Sequence, residues 1–168
     1  APILTFTSEE VYQFFPVSAR QKKTIQAEPW PILHPEWKGN QIVSSGFTLD
    51  QKWIKLLEIR EKANISLEAV RAAGTIGHSL DASLTITVKE TALYKLLQEE
   101  STFLSDFFIV SECETILDEN ANSPVDISVR QADGEKCQRC WKYDRKVGED
   151  PAHPDICPRC AEIVKQRG

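Results

Sequence analysis

The sequence predicts an α+β fold: a helical N-terminal part, a small mixed α/β junction subdomain and a compact cysteine-rich unit at the C-terminal end. Three observations carry this. A helix start signal at Thr48 opens a long apolar stripe. Leu84, Ile86 and Val88 alternate with Thr85 and Thr87, the period of a half-buried strand. Cys137–Cys140 and Cys157–Cys160 form paired C-x-x-C turns, which predict that the last unit is a four-cysteine zinc finger.

The elements follow in chain order. Thr7-Ser8-Glu9-Glu10 reads as a capping box, with Val11, Tyr12, Phe14 and Phe15 as a short helix ended by Pro16. Pro29, Pro31 and Pro35 disfavour regular structure beyond it. This divides the chain into a helical part over 1–17, a linker over 18–47, an α+β subdomain over 48–134 and a finger over 135–168. In the α+β part, Thr48 with Gln51 starts a helix that runs to about Ala73, with Gly74 as its C′ residue. Trp53, Leu56, Leu57, Ala63, Leu67 and Val70 form its apolar stripe. After the Leu84 strand, 92–100 reads as a helix with Leu93, Leu96 and Leu97 on one face. Strands are expected over 107–116 and 125–129, joined by a loop over 118–124. No internal repeat or low-complexity segment interrupts this order.

The cysteine spacing carries the chemistry. Each C-x-x-C turn can aim two sulfurs at one point, and two turns complete a tetrahedron with Zn–S bonds near ~2.3 Å. The ligands are Cys137, Cys140, Cys157 and Cys160. Four protein ligands leave no open position, so the zinc is expected to be structural. It would stabilise a segment too small for a core of its own. A redox dithiol needs only one such pair, and disulfides need an oxidising compartment. Lys136, Arg139 and Arg159 lie beside the ligands and can offset the net negative charge of zinc held by four thiolates. Cys113 falls in an expected strand and reads as an apolar residue. His153 reads as a loop residue, and His34 and His78 as structural or exposed. Trp141, beside Cys140, can either pack over the knuckle or offer a stacking face to an unpaired base. Arg139 can add a guanidinium fork for a base edge or phosphate.

The whole chain carries a net charge of −5, which excludes a generally basic nucleic-acid binder. Residues 136–168 carry eight Lys/Arg against five Asp/Glu, a net of +3, so the remainder carries −8. A basic end on an acidic body suggests that the end meets an anion, although ordinary surface variation gives the same count as readily. No apolar run approaches the ~20 residues of a membrane helix. The first residues lack the basic start of a secretory signal, which leads to the expectation of a cytoplasmic protein with reduced thiols. The absence of methionine fits a fragment of a longer protein, although processing or chance leaves the same absence.

Three motifs in order resemble one family. Lys136-Cys137-Gln138-Arg139-Cys140-Trp141, Val147-Gly148, His153-Pro154 and Cys157-Pro158-Arg159-Cys160 resemble the C-terminal zinc finger of bacterial-type isoleucyl-tRNA synthetases. The segment from Ala1-Pro2-Ile3-Leu4 through Phe6-Thr7 to Glu9-Glu10-Val11-Tyr12 is similar to one late in that family's helical anticodon-binding domain. Ile76-Gly77-His78-Ser79-Leu80-Asp81-Ala82 is similar to its I-G-x-S-L-E-A segment. Tyr12 stands where the family usually has Trp, and Gly74 where a basic residue is common. The resemblance implies a C-terminal fragment, with 1–17 as the tail of the anticodon-binding domain. It implies the anticodon stem-loop of isoleucine tRNA and the rest of the synthetase chain as partners, in a monomeric enzyme. The family's Arg-Cys-Trp contact with the anticodon maps onto Arg139 and Trp141; beside them, Lys142 and Arg145 are further candidates that would touch phosphate. ATP and Mg2+ would belong to a catalytic domain that is not in this chain, whose own catalytic set is empty.

Two other readings compete. A DNA glycosylase tail ends in a related finger, but Pro154-Asp155-Ile156 stands where that family has a Gly-Arg-Ser/Thr turn. A zinc-ribbon module that binds protein is the other.

Overall fold

The computed structural model describes residues 3–32, 34–37 and 39–167. The chain forms two compact units, Ala1–Lys38 and Gly39–Gly168.

In the first unit, helix α1 spans Thr5–Gln13. It begins two residues before the expected cap: Leu4 is the N-cap, no side chain caps it, and Thr7 lies inside the helix. The acidic pair has a different use. Glu9 accepts from the Thr24 hydroxyl at 2.6 Å and the Ile25 N–H at 2.9 Å. It thereby caps a 3-10 turn at Ile25–Ala27. Tyr12 is the buried member of α1, and its hydroxyl donates to the Lys22 carbonyl at 2.9 Å. Glu28 accepts from the N–H groups of Gln21 and Lys22 at 2.8 and 2.9 Å. The prolines thus do not leave this stretch extended, because carboxylates gather its free amides against α1.

The second unit opens with hairpin β1 (Ile42–Ser44) and β2 (Phe47–Thr48). Ser45 and Gly46 take φ of 45° and 84°, the left-handed pair that a two-residue hairpin turn requires. Helix α2, Leu49–Ala72, starts at Thr48 as expected. The Thr48 hydroxyl accepts from the Gln51 N–H at 3.2 Å, and the Gln51 side chain accepts from the Thr48 N–H at 3.0 Å. The helix ends as expected at Gly74, φ 76°, in a Schellman motif made by Gly74 N–H to Arg71 and Thr75 N–H to Val70. The buried stripe is Leu56, Ile59, Ala63 and Leu67, with Val70 packed beside it. Trp53 and Leu57, assigned to that stripe from the sequence, are exposed. Trp53 packs on the rings of Phe103 and Phe107 instead.

Strand β3 (Ala82–Val88) is the centre of a three-stranded sheet. Helices α3 (Thr91–Glu99) and α4 (Ser101–Phe107) cross over to β4 (Glu112–Leu117), which runs parallel to β3. Strand β5 (Val125–Gln131) pairs with β3 antiparallel. The strand expected over 107–116 is therefore corrected. Phe107 closes α4, and Ile109 at φ 58° turns the chain before β4 begins. Leu104 and Phe107 are buried at a spacing of three and Phe108 follows, a helical face that also supplies a short apolar run. Leu84, Ile86 and Val88 of β3 pack with α2, α3 and α4 in one core, and Leu96, Leu97 and Leu104 close it. Cys113 of β4 packs against this core, where burial first, and then Glu114, push its thiol up to about 12.

From β5 the chain enters the C-terminal knuckle, made of β6 (Glu135–Lys136), β7 (Tyr143–Asp144) and helix α5 (Pro158–Arg167). Gly134 makes this entry possible. Its φ is 94°, and a Cβ there would lie 2.4 Å from the Asp144 carbonyl carbon. Gly134→Ala is expected to disrupt the β6–β7 pairing, seen as faster amide exchange at Cys137, whose N–H donates to the Lys142 carbonyl at the end of that pairing. Leu96→Ala is expected to cost the α+β core about 2–5 kcal/mol in chemical denaturation.

Candidate metal centre and nucleic-acid interface

Two turns of different origin meet at the knuckle. The first lies between β6 and β7. Its backbone is closed by Trp141 N–H to the Cys137 carbonyl and Cys137 N–H to the Lys142 carbonyl, both 2.9 Å. The second is the start of α5, where Cys157 precedes the helix and Cys160 lies in its first turn. Gln138 N–H to the Asp155 carbonyl, at 3.0 Å, ties the two turns together. The Sγ atoms of Cys137, Cys140, Cys157 and Cys160 all lie within 4.8 Å of one another, and Cys137, Cys157 and Cys160 are buried.

This donor set fits zinc. Tetrahedral Zn–S bonds of ~2.3 Å place sulfurs ~3.8 Å apart, and Cys140 Sγ lies 3.8 Å from Cys157 Sγ. Backbone and cationic donors already face the sulfurs. Cys157 N–H points to Cys137 Sγ at 3.3 Å, and Arg139 Nη1 lies 3.6 Å from Cys160 Sγ. Burial disfavours the Cys137 thiolate, but backbone N–H groups of Cys140, Cys157 and Arg139 outweigh it and bring that thiol down to about 6. Burial, reinforced by the neighbouring sulfurs, pushes Cys157 up to about 12, and burial also raises Cys140. Four thiolates cannot crowd together without a cation, and a zinc ion held by these four ligands would supply it and be closed off by them. His153 takes no part: the cluster among the described residues is the four cysteines alone, and His153 N–H turns back to the Asp150 carbonyl at 2.9 Å. His78 is structural, its Nδ1 accepting the Leu80 N–H at 3.2 Å.

The side chains proposed for RNA contact divide into two groups. Trp141 is 58% exposed and its φ is 65°. A left-handed conformation at a non-glycine residue costs on the order of 1 kcal/mol, here sustained by the bonds that close the turn. Its ring therefore projects from a fixed backbone, with the Lys136 ammonium 6.0 Å from the ring centre. Arg139 is exposed beside it while its guanidinium reaches the sulfurs. Lys142 and Arg145 are placed differently. Lys142 is 18% exposed and binds Asp106 at 2.5 Å and the Ser105 hydroxyl at 3.1 Å. Arg145 pairs with Asp133. Asp106, Ser111 and Asp133, which meet the knuckle from the α+β subdomain, had no signal in the sequence, because their partners lie 12 to 36 residues away.

A closed four-thiol knuckle carried on an α+β subdomain defines a protein with a structural zinc finger. Compared with known families, the chain matches the anticodon-binding domain of tRNA ligase over residues 1–86 and the zinc finger found in FPG and IleRS over 134–163. The chain belongs to the anticodon-binding domain family of tRNA ligases. It is 44% identical over 172 residues to an isoleucine–tRNA ligase of Kosmotoga olearia, covering 100% of this chain and 18% of that protein. It is 37% identical to the enzyme of Geobacter sulfurreducens, covering 98% of this chain and 18% of the relative. For Carboxydothermus hydrogenoformans the identity is 39%, over 98% of this chain and 17% of the relative. The chain thus spans under a fifth of the length of these curated relatives. The resemblance read from the three motifs is borne out, and the match over 1–86 favours the tRNA-ligase reading over a glycosylase tail. No helix among the described residues is long and apolar enough to cross a membrane.

Chelation of the metal, or Cys140→Ala, is expected to unfold the knuckle from about Lys136 onward while β3 and its helices remain folded. Amide exchange resolved by residue checks this: a knuckle still protected after complete metal removal contradicts it.

Proposed function

We propose that this chain is the anticodon-facing C-terminal region of an isoleucine–tRNA ligase, and that its knuckle presents Trp141 and Arg139 to unpaired bases of the isoleucine tRNA anticodon loop. The observation that carries this reading is Trp141: a largely exposed indole on a backbone fixed by a metal ligand on one side and by two hydrogen bonds. A ring so held stacks on a base with little ordering cost. Arg139, one residue before Cys140, offers a guanidinium on the same turn.

In this reading the full enzyme joins isoleucine to its tRNA with ATP and Mg2+ at a site elsewhere in the parent protein. The enzyme acts as a monomer in the cytoplasm, where the four thiols stay reduced. The chain contributes recognition, and the purified segment is expected to show no isoleucine-dependent pyrophosphate exchange; detectable exchange contradicts this.

The contact is tested in the full-length enzyme with Trp141→Ala and Arg139→Ala, after zinc content is confirmed. Trp141→Ala should weaken tRNA binding by about 1–3 kcal/mol, a loss of roughly 5- to 150-fold. Both variants should impair aminoacylation and leave isoleucine activation normal. Unchanged tRNA affinity and charging with full zinc would mean that the two side chains only pack around the knuckle.

A further inference from the structure

We infer that Asp106, Ser111 and Asp133 are positioning residues. They clasp the zinc knuckle to the α+β subdomain in one orientation and take Lys142 and Arg145 out of the set of free cations. This rests on the proposed contact of Trp141 with tRNA. The knuckle is joined to β5 through Ala132, Asp133 and Gly134. A short connection that ends on a glycine does not by itself fix the angle of the knuckle.

Three contacts fix it. At the centre, Tyr143 N–H donates to Ser111 Oγ at 2.7 Å, and the same hydroxyl donates to the Leu80 carbonyl at 2.5 Å. One hydroxyl thus joins β7 to the segments that enter β3 and β4. On one flank Lys142, the residue after Trp141, binds Asp106 and Ser105 of α4. The hydrogen bond to Lys142 holds the Asp106 carboxyl below the ordinary range even though some burial opposes it. On the other flank Arg145 and Arg130 share Asp133, and Arg130 also reaches Glu112 of β4 at 3.3 Å.

Each ion pair is weak alone, because both are partly exposed. They act together because each closes a contact whose ends the others already hold near one another. Lys142 adjoins Trp141, so a shift of the Lys142–Asp106 pair moves the indole. A phosphate role for Lys142 would have the opposite outcome. A lysine on phosphate gains when its carboxylate partner is removed, whereas a clasp loses.

The test uses the full-length enzyme, an isoleucine tRNA transcript and a salt series. Asp106→Asn should weaken tRNA binding roughly fivefold, the size of one such pair, with zinc content and salt slope unchanged. Lys142→Asp should weaken it similarly, and the exchanged pair Lys142→Asp with Asp106→Lys should restore it. Tighter binding by Asp106→Asn, or a salt slope lowered by about one in Lys142→Asp, would overturn the proposal in favour of a phosphate contact. So would an exchanged pair no better than Lys142→Asp. Amide exchange at Tyr143 in the enzyme without tRNA reads the clasp directly: it should quicken in Asp106→Lys and in Ser111→Ala. Unchanged exchange means that the clasp is absent. Quickened exchange with no effect of Trp141→Ala on tRNA binding means instead that the clasp exists and the proposed RNA contact does not.

Discussion

The second unit of this chain depends on covering one face of strand β3. Leu84, Ile86 and Val88 are fully buried, and the strand is hydrogen-bonded along both edges. Burying aliphatic side chains of this size is worth about 1.5–3 kcal/mol each, so that face must be covered by helices. Helices α3 and α4 can reach it only within the crossover that brings β4 parallel to β3. That crossover leaves Asp106 at the end of α4 and Ser111 at the entrance of β4. The docking surface of the knuckle is therefore set by the demand of the core. The sheet places β5, which leads into the knuckle, next to the same strand.

The knuckle has a different source of stability. Its buried cluster consists of Cys137, Cys157 and Cys160 with Cys140, Val147 and Ile156 packed against it, too little apolar surface to hold a fold. Metal binding, on the order of 10 kcal/mol in such segments, supplies what the core cannot. The hydrogen bonds that close the turn between two ligands sustain the left-handed backbone of Trp141. The strain at Trp141, the exposure of its ring and the adjacent ligand are one arrangement: the energy that fixes the cysteines also fixes an aromatic face toward solvent.

Much of this was legible in the sequence, and the failures have physical reasons. Thr48 with Gln51, and Gly74, announced both ends of α2 because cap chemistry is local. The four cysteines announced the metal centre because two tight turns need nothing but each other. Thr7 and Glu10 gave the same kind of signal for α1 but lost to tertiary bonding: Glu9 is taken by Thr24 and Ile25, fifteen and sixteen residues on. Phe107 and Phe108 look like strand residues locally and are placed by their packing on α2 and β3. The division of the apolar positions of α2 was ambiguous for the same reason. Trp53 and Ile59 both fit a helical stripe, and only the direction of the sheet decides that Ile59 is buried and Trp53 meets Phe103.

The charge of the knuckle shows how far a count of basic residues can be carried. The +3 over 136–168 suggests a surface that meets an anion. Yet Lys142 faces Asp106, Arg145 faces Asp133 and Lys165 faces Asp150 at 2.7 Å. Arg139 lies against Cys160, and Arg159, despite the burial that works against its charge, is held by Cys140 and Asp106. Among the described residues Lys136 and Lys146 form no ion pair, and Lys136 stands over Trp141. The basic residues of the knuckle therefore act mainly inward, neutralising a thiolate cluster and fastening it to the sheet. Few cations of the knuckle are left without an ion pair, and one of them, Lys136, lies beside the indole of Trp141. Recognition by such a surface would draw more on stacking at a fixed position than on long-range attraction. On the proposed reading, tRNA affinity should accordingly depend on salt less steeply than eight neutralised phosphates would require.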